Sequence, residues 1–168
     1  MLRRYACLGF TVLLGLVLAS NAEAQRRGFI IGGGLGAGLS AGDVNTEVGV
    51  ATDFKIGAMI GESIQLYYAN KMVFTPTEVA DFAGTGVGGL GITYQMPNGF
   101  RINGLVGLSS YILYFDGDAT AEWGFGIGAG VGYEFTKYWL INLDGSWGQP
   151  LDGVNIFNVA LTFNVLSF

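Results

Sequence analysis

Six charged residues within apolar or glycine-rich segments are the groups of this sequence that could do chemistry. They could act as acid–base catalysts or line an ion pathway, but unpaired buried charge is costly, so a structural ion-pair network is favoured. The sequence has no histidine, which is the most frequent general base. We therefore expect no catalytic residue and no enzymatic activity, with Lys55 and Arg101 pairing with Glu134. The network is assigned to Asp53, Lys55, Arg101, Glu134 and Asp144, and Glu122 is the sixth charge of this kind.

Two short motifs resemble ligand sites. Residues 84–89 match G-x-G-x-x-G, but a nucleotide site of that kind needs a strand before the motif and a helix after it. Residues 116–118 read Asp-Gly-Asp, yet the remaining positions of a calcium loop are missing, and an Asp-Gly turn is favoured. We expect no cofactor and no metal.

The N-terminus has the organisation of a signal peptide. Arg3 and Arg4 precede an apolar run over residues 6–19, and Ala-Glu-Ala at 22–24 forms a cleavage site. The run is shorter than the ~20 residues of a spanning helix. Cleavage after residue 24 would leave 25–168 as one domain without Cys7, the only cysteine, and with six basic and twelve acidic residues. An acidic chain with no basic stripe is not expected to bind nucleic acid.

The mature sequence alternates with a period of two, which is typical of β-strands. Between residues 122 and 135, odd positions carry Trp, Phe, Ile, Ala, Val, Tyr and Phe, and even positions carry five glycines between two glutamates. A similar division recurs in eight segments, at about 29–40, 47–57, 63–71, 82–95, 100–110, 122–135, 139–147 and 155–165. In the fourth segment Val87 breaks the phase, and Gly88-Gly89 suggests a β-bulge.

Eight alternating strands behind a secretory signal predict an all-β fold, an eight-stranded antiparallel up-and-down transmembrane barrel in a bacterial outer membrane. The connections at 58–62, 96–99 and 136–138 are short, and those at 72–81 and 113–121 are longer and more polar. Short turns usually face the periplasm, so both termini are expected there. The lumenal glycines could line a hollow, but room for side chains such as Tyr67 and Arg101 is favoured because small barrels are filled.

Aromatic residues near strand ends are expected to anchor the barrel at the membrane interfaces. They are Trp123, Tyr133, Phe135, Trp139 and Trp147.

The signal, the strand count, the alternation and the C-terminal Phe168 together resemble the small outer-membrane barrels of the OmpA transmembrane-domain and OmpX type. The resemblance implies that the barrel-assembly machinery recognises the last strand, with Phe168 as the assembly signal. Phe168 shares its parity with Asn164 rather than with the lipid-facing row. A bulge near Leu166 would restore the phase.

The sequence leaves three functions open. The favoured one is a monomeric, non-enzymatic barrel of a Gram-negative-type bacterium, structural or engaged in surface interactions, with short extracellular loops and contacts to outer-membrane lipids and lipopolysaccharide. The first alternative is a narrow channel for small or apolar solutes. The second is a secreted soluble barrel of lipocalin type, which would need the opposite polarity, apolar inside and charged outside.

Overall fold

The chain folds into a closed eight-stranded β-barrel. The computed structural model describes residues 28–42, 46–77, 80–116, 118–151 and 154–167. All strands pair antiparallel with their neighbours in chain order, and the first pairs with the last, which confirms the predicted fold. The strands are β1 Gly28–Ala41, β2 Thr46–Ile60, β3 Ile64–Thr75, β4 Phe82–Gln95, β5 Phe100–Phe115, β6 Asp118–Glu134, β7 Trp139–Leu151 and β8 Val154–Ser167.

The two faces of the sheet have the polarity that the alternation predicts. Outward Leu35 and Leu90 are 61% and 70% exposed, whereas inward Asp53 and Lys55 are 3% and 2% exposed. Hydrocarbon can cover such an outer face, and a narrow interior can pair such charges. A soluble barrel of lipocalin type has an apolar interior and a charged exterior, so this alternative is wrong.

The stagger of the strands fixes how the lumenal side chains meet. Followed round the barrel, the pairing that starts at Gly57 returns to β2 at Glu47, ten residues away. A closed barrel with such a stagger has tilted strands, and with eight strands its interior is just wide enough for side chains. Groups on opposite walls can therefore touch.

The bulge predicted at Gly88-Gly89 is wrong. The pairing of β4 with both neighbours runs unbroken from Phe82 to Gln95, and Val87 lies on the lumenal face, where it is buried. The register shift occurs instead in β7, between Gly148 and Leu151. Pro150 lies within this stretch, and proline has no N–H for the ladder, so an irregularity is expected there.

The long loop predicted over residues 113–121 is also wrong. The β5–β6 pairing continues out to Phe115 opposite Asp118, because the hairpin keeps its backbone hydrogen bonds beyond the apolar band. The turn contains Asp116 with φ of 36°, a left-handed conformation that Asp tolerates, and its N–H donates to Asp81 Oδ2 at 3.0 Å. Glu122, predicted to face the lumen, is exposed on this projecting hairpin.

The end of β8 keeps its alternation. Pairing with β1 is continuous up to Ser167 opposite Ile31, and Leu166 is fully buried in the lumen. The bulge suggested near Leu166 is therefore wrong. Phe168 and residues 1–24 lie outside the described residues. Over the described part of the chain, no helix is long and apolar enough to cross a membrane.

Candidate functional site

Lys71 on β3 is the centre of the polar network in the lumen. Its Nζ donates to Asp53 Oδ2 at 3.0 Å and to Asp144 Oδ2 at 2.6 Å. Asn142 Nδ2 also donates to Asp53 Oδ2, at 3.4 Å. β3 and β7 are four strands apart in a ring of eight, so the contact between Lys71 and Asp144 crosses the lumen and ties opposite walls together.

Two further charges lie near the end of the barrel that carries the 96–99 turn. Glu134 accepts a hydrogen bond from Gln95 Nε2 at 2.7 Å, and Arg101 Nη2 donates to Gln65 Oε1. These contacts connect β4 with β6 and β3 with β5. The expected pairing of Arg101 with Glu134 stays a prediction.

Lys55 on β2 lies against an aromatic ring. Its Nζ is 5.1 Å from the ring centroid of Tyr67, a distance at which a cation is attracted to the ring face. The Tyr67 hydroxyl is 3.0 Å from Thr93 Oγ1. Lys71, not Lys55, is therefore the cation that bridges two carboxylates, and the network predicted from the sequence did not include it.

A second cluster ties opposite walls at the other end of the lumen. Thr85 on β4 donates from Oγ1 to Asn158 Oδ1 on β8 at 2.8 Å, and Ser40 Oγ on β1 is 2.9 Å from Thr85 Oγ1. All three residues are buried. β4 and β8 are also four strands apart, so this contact again crosses the lumen.

An apolar layer fills part of the lumen, which the sequence did not predict. Its members are buried and come from β1 to β5. Lumenal positions of such barrels are expected to be small or polar, so an apolar core was not predicted there. For Val87, only its odd position in β4 indicated that it faces the lumen. The layer consists of Ile30, Met59, Tyr67, Ala69, Val87 and Leu105.

Lumenal glycines provide space for side chains of neighbouring strands. A Cβ at Gly32 would overlap Leu166, one at Gly130 would overlap Asp144 Oδ1, and one at Gly91 would overlap the ring of Tyr67. A void of about 20 Å³ lies beside Lys71 and Asp144, enough for one water. The space-making interpretation of the glycines therefore holds at these positions.

The five residues assigned to the network are all buried inside the barrel, with at most 7% exposure. The structure brings Asp53 and Asp144 together through Lys71, and it places Arg101 and Glu134 nearer one end. Within the described segments, no group of three or more His, Cys, Asp or Glu side chains could hold a metal ion. The arrangement is suited to holding walls together by charge pairing and hydrogen bonds.

Three of the five predicted interfacial aromatics, Tyr133, Phe135 and Trp139, cluster around Phe163 at the end of the barrel that carries the 135–138 turn. Trp139 stacks on Phe163 with centroids 4.9 Å apart, and Phe135 stacks on the same ring at 6.2 Å and meets Tyr133 edge-on at 5.8 Å. Trp147 lies edge-on to Phe125, and its Nε1 donates to Asn155 Oδ1 at 3.2 Å. Trp147 and Trp123 lie farther along the wall, and the anchoring of all five aromatics at the membrane interfaces stays a prediction.

Comparison with solved structures finds barrels of the same shape at low sequence identity. Ail, the attachment invasion locus protein of Yersinia pestis, has a TM-score of 0.59 at 12% identity over 84% of this chain and 99% of its own. Neisserial surface protein A has a TM-score of 0.60 at 12% identity over 83% of this chain and 96% of its own. No family model and no curated protein matches the sequence. The chain has the fold of the small eight-stranded outer-membrane barrels.

Proposed function

We propose that the chain is an outer-membrane barrel with a non-enzymatic, structural or surface-interaction role, rather than a conduit. The observation that carries the proposal is that contacts cross the lumen at two levels, Lys71 with Asp144 and Thr85 with Asn158. A barrel tied in this way keeps its shape, and its interior has little room for a solute. What remains available for interaction is the outer wall and the rim.

The charge of the rim limits the kind of partner that could bind there. Exposed carboxylates lie where β4 begins and along the β5–β6 hairpin, at Asp81, Asp116, Asp118 and Glu122. A partner that makes direct ion pairs with this rim would be cationic. Contact with lipopolysaccharide, which is anionic, is therefore assigned to the apolar wall below it.

The surface-interaction part of the proposal also agrees with the names of two barrels of this fold. Ail is named for attachment and invasion, and the second protein for its place at the Neisserial surface. Those roles belong to those proteins, and a shared fold can host different functions.

We expect the chain to fractionate with the outer membrane and to migrate differently on detergent gels before and after boiling. A closed barrel satisfies all its backbone groups internally and so resists unfolding by detergent. The measurement is membrane fractionation followed by electrophoresis of boiled and unboiled samples. Recovery in the soluble periplasm with no shift on heating would contradict the proposed location.

The channel alternative is tested by conductance in planar bilayers. We expect negligible conductance of the parent protein, because lumenal side chains from opposite walls meet. The positive control combines Tyr67→Ala and Leu105→Ala with Lys71→Ala and Thr85→Ala. It removes two large members of the apolar layer and the two contacts that cross the lumen, and it should raise the conductance. A steady open state in the parent protein would favour the conduit.

A further inference from the structure

A groove of about 400 Å³ lies on the outer wall of the barrel, across β3 to β6. It exists because the outward position 88 of β4 is glycine, so no side chain covers the sheet there, whereas Met72 and Phe74 lie over the neighbouring Gly84. The groove is lined by Tyr68, Asn70, Gly88, Leu108, Ser110 and Trp123.

Two polar side chains face this groove from a wall that is otherwise apolar. Ser110 on β5 is only 6% exposed, and Asn70 on β3 lies opposite Gly88 in the pairing. Neither side chain has a hydrogen-bond partner among the residues that the structure describes. Hydrocarbon offers no hydrogen bonds, so groups of this kind are costly there unless a ligand satisfies them.

The groove reaches the membrane interface remote from the 96–99 turn. Ser110 lies ten residues after Phe100, the first residue of β5, and on a tilted strand this spans roughly 25 Å along the barrel axis. That is about the height of the apolar band of such barrels. Ser110 pairs with Trp123, which is 59% exposed. With the termini in the periplasm, this is the outer-leaflet interface.

We propose that the groove binds an acyl chain of lipopolysaccharide, with the chain lying over Gly88 and an ester carbonyl accepting hydrogen bonds from Ser110 and Asn70. Ester carbonyls lie at the interfacial depth where these two side chains are found. The acidic rim above the groove does not attract the anionic head group of lipopolysaccharide. The groove would therefore recognise the acyl chain and its ester within the apolar band. The inference rests on the proposed location and orientation.

Gly88→Leu is the variant that fills the groove. A Cβ at Gly88 would lie 3.1 Å from Tyr68 Oη and 3.5 Å from Asn70 Nδ2, side-chain ends that can move. Gly145→Leu is the matched control, because Gly145 faces outward on β7 and the nearest atoms to its Cβ would be 3.9 Å away. Ser110→Ala removes one hydrogen bond and leaves the groove open.

Trp123 can report occupancy directly. The chain has three tryptophans, and the substitutions Trp139→Phe and Trp147→Phe leave Trp123 as the only one. The full chain purified from membranes is placed in vesicles of phosphatidylcholine brominated on its acyl chains, which quench tryptophan, and lipopolysaccharide is then added. We expect lipopolysaccharide to relieve the quenching of Trp123 more than that of Trp147 in a matched background that retains only Trp147.

The variants decide the outcome. Gly88→Leu should abolish the excess relief, Gly145→Leu should preserve it, and Ser110→Ala should weaken the apparent affinity about three- to tenfold. Equal relief at Trp123 and Trp147 would overturn the proposal, since it indicates dilution alone. Relief that depends on protein concentration rather than on lipopolysaccharide would also overturn it, in favour of a second copy of the chain. If either of these results is obtained while the protein still fractionates with the outer membrane and shows the heat shift, the proposed location is unaffected.

Discussion

Lys71→Met is expected to lower the free energy of unfolding by about 3–5 kcal/mol, the usual cost of removing one partner of a buried ion pair. The substitution leaves the Asp53 and Asp144 carboxylates buried with no bridging cation. Urea unfolding of the folded barrel in lipid vesicles, followed by tryptophan fluorescence and gel mobility, measures the effect.

Two controls accompany this prediction. Lys137→Met removes the same charge from the 135–138 turn and should cost at most about 1 kcal/mol, as for other surface charges. Adding Asp53→Asn and Asp144→Asn to Lys71→Met should recover part of the loss, because these substitutions neutralise the two buried carboxylates that Lys71 bridges. Unchanged stability of Lys71→Met alone would mean that the lumenal contacts do not hold the walls together.

Ile127→Lys is expected to disturb insertion, because a lysine near the bilayer midplane of a barrel costs roughly 2–4 kcal/mol. Ile127 faces outward on β6 and is 43% exposed. Gly128→Ser is the matched control on the adjacent, lumenal position, where the nearest atoms to an added Cβ lie 3.4 to 3.6 Å away. A serine fits at such distances without displacing backbone.

The readout is the fraction of each variant that acquires the folded gel mobility after refolding into vesicles. We expect the serine variant to match the parent and the lysine variant to fall well below it. If the lysine variant folds normally and the serine variant does not, the two faces of β6 have been assigned in reverse.

The fold and the two faces of each strand could be predicted because both are local properties. The alternation along one strand indicates which side chains share a face, and the partner strand need not be known. β6 illustrates this, since Trp123, Phe125 and Ile127 all face outward, as its alternation predicts. The β-bulges predicted at Gly88-Gly89 and near Leu166 were wrong. The loop predicted from the polar residues at 113–121 was also wrong, because the strands of the β5–β6 hairpin continue through them.

The composition of the lumen was less predictable. A small and polar row was expected, yet Val87 and Leu105 belong to a buried apolar layer. Parity placed these residues inside, but only packing decides whether a lumenal position is filled by an apolar or a polar group. The outer groove was hidden for the same reason, since the sequence does not show that Ser110 and Asn70 flank Gly88.

The sequence by itself determined the class of this protein, an eight-stranded barrel with an apolar outside and charges inside, because a period of two is written into each strand separately. Only the tertiary structure decided which lumenal groups meet. Lys71 touches Asp144, 73 residues away, because closure of the ring and a stagger of ten residues bring β3 and β7 to the same height on opposite walls. No local pattern encodes that height, so the bridging cation could not be chosen from among the lumenal charges until the barrel was closed.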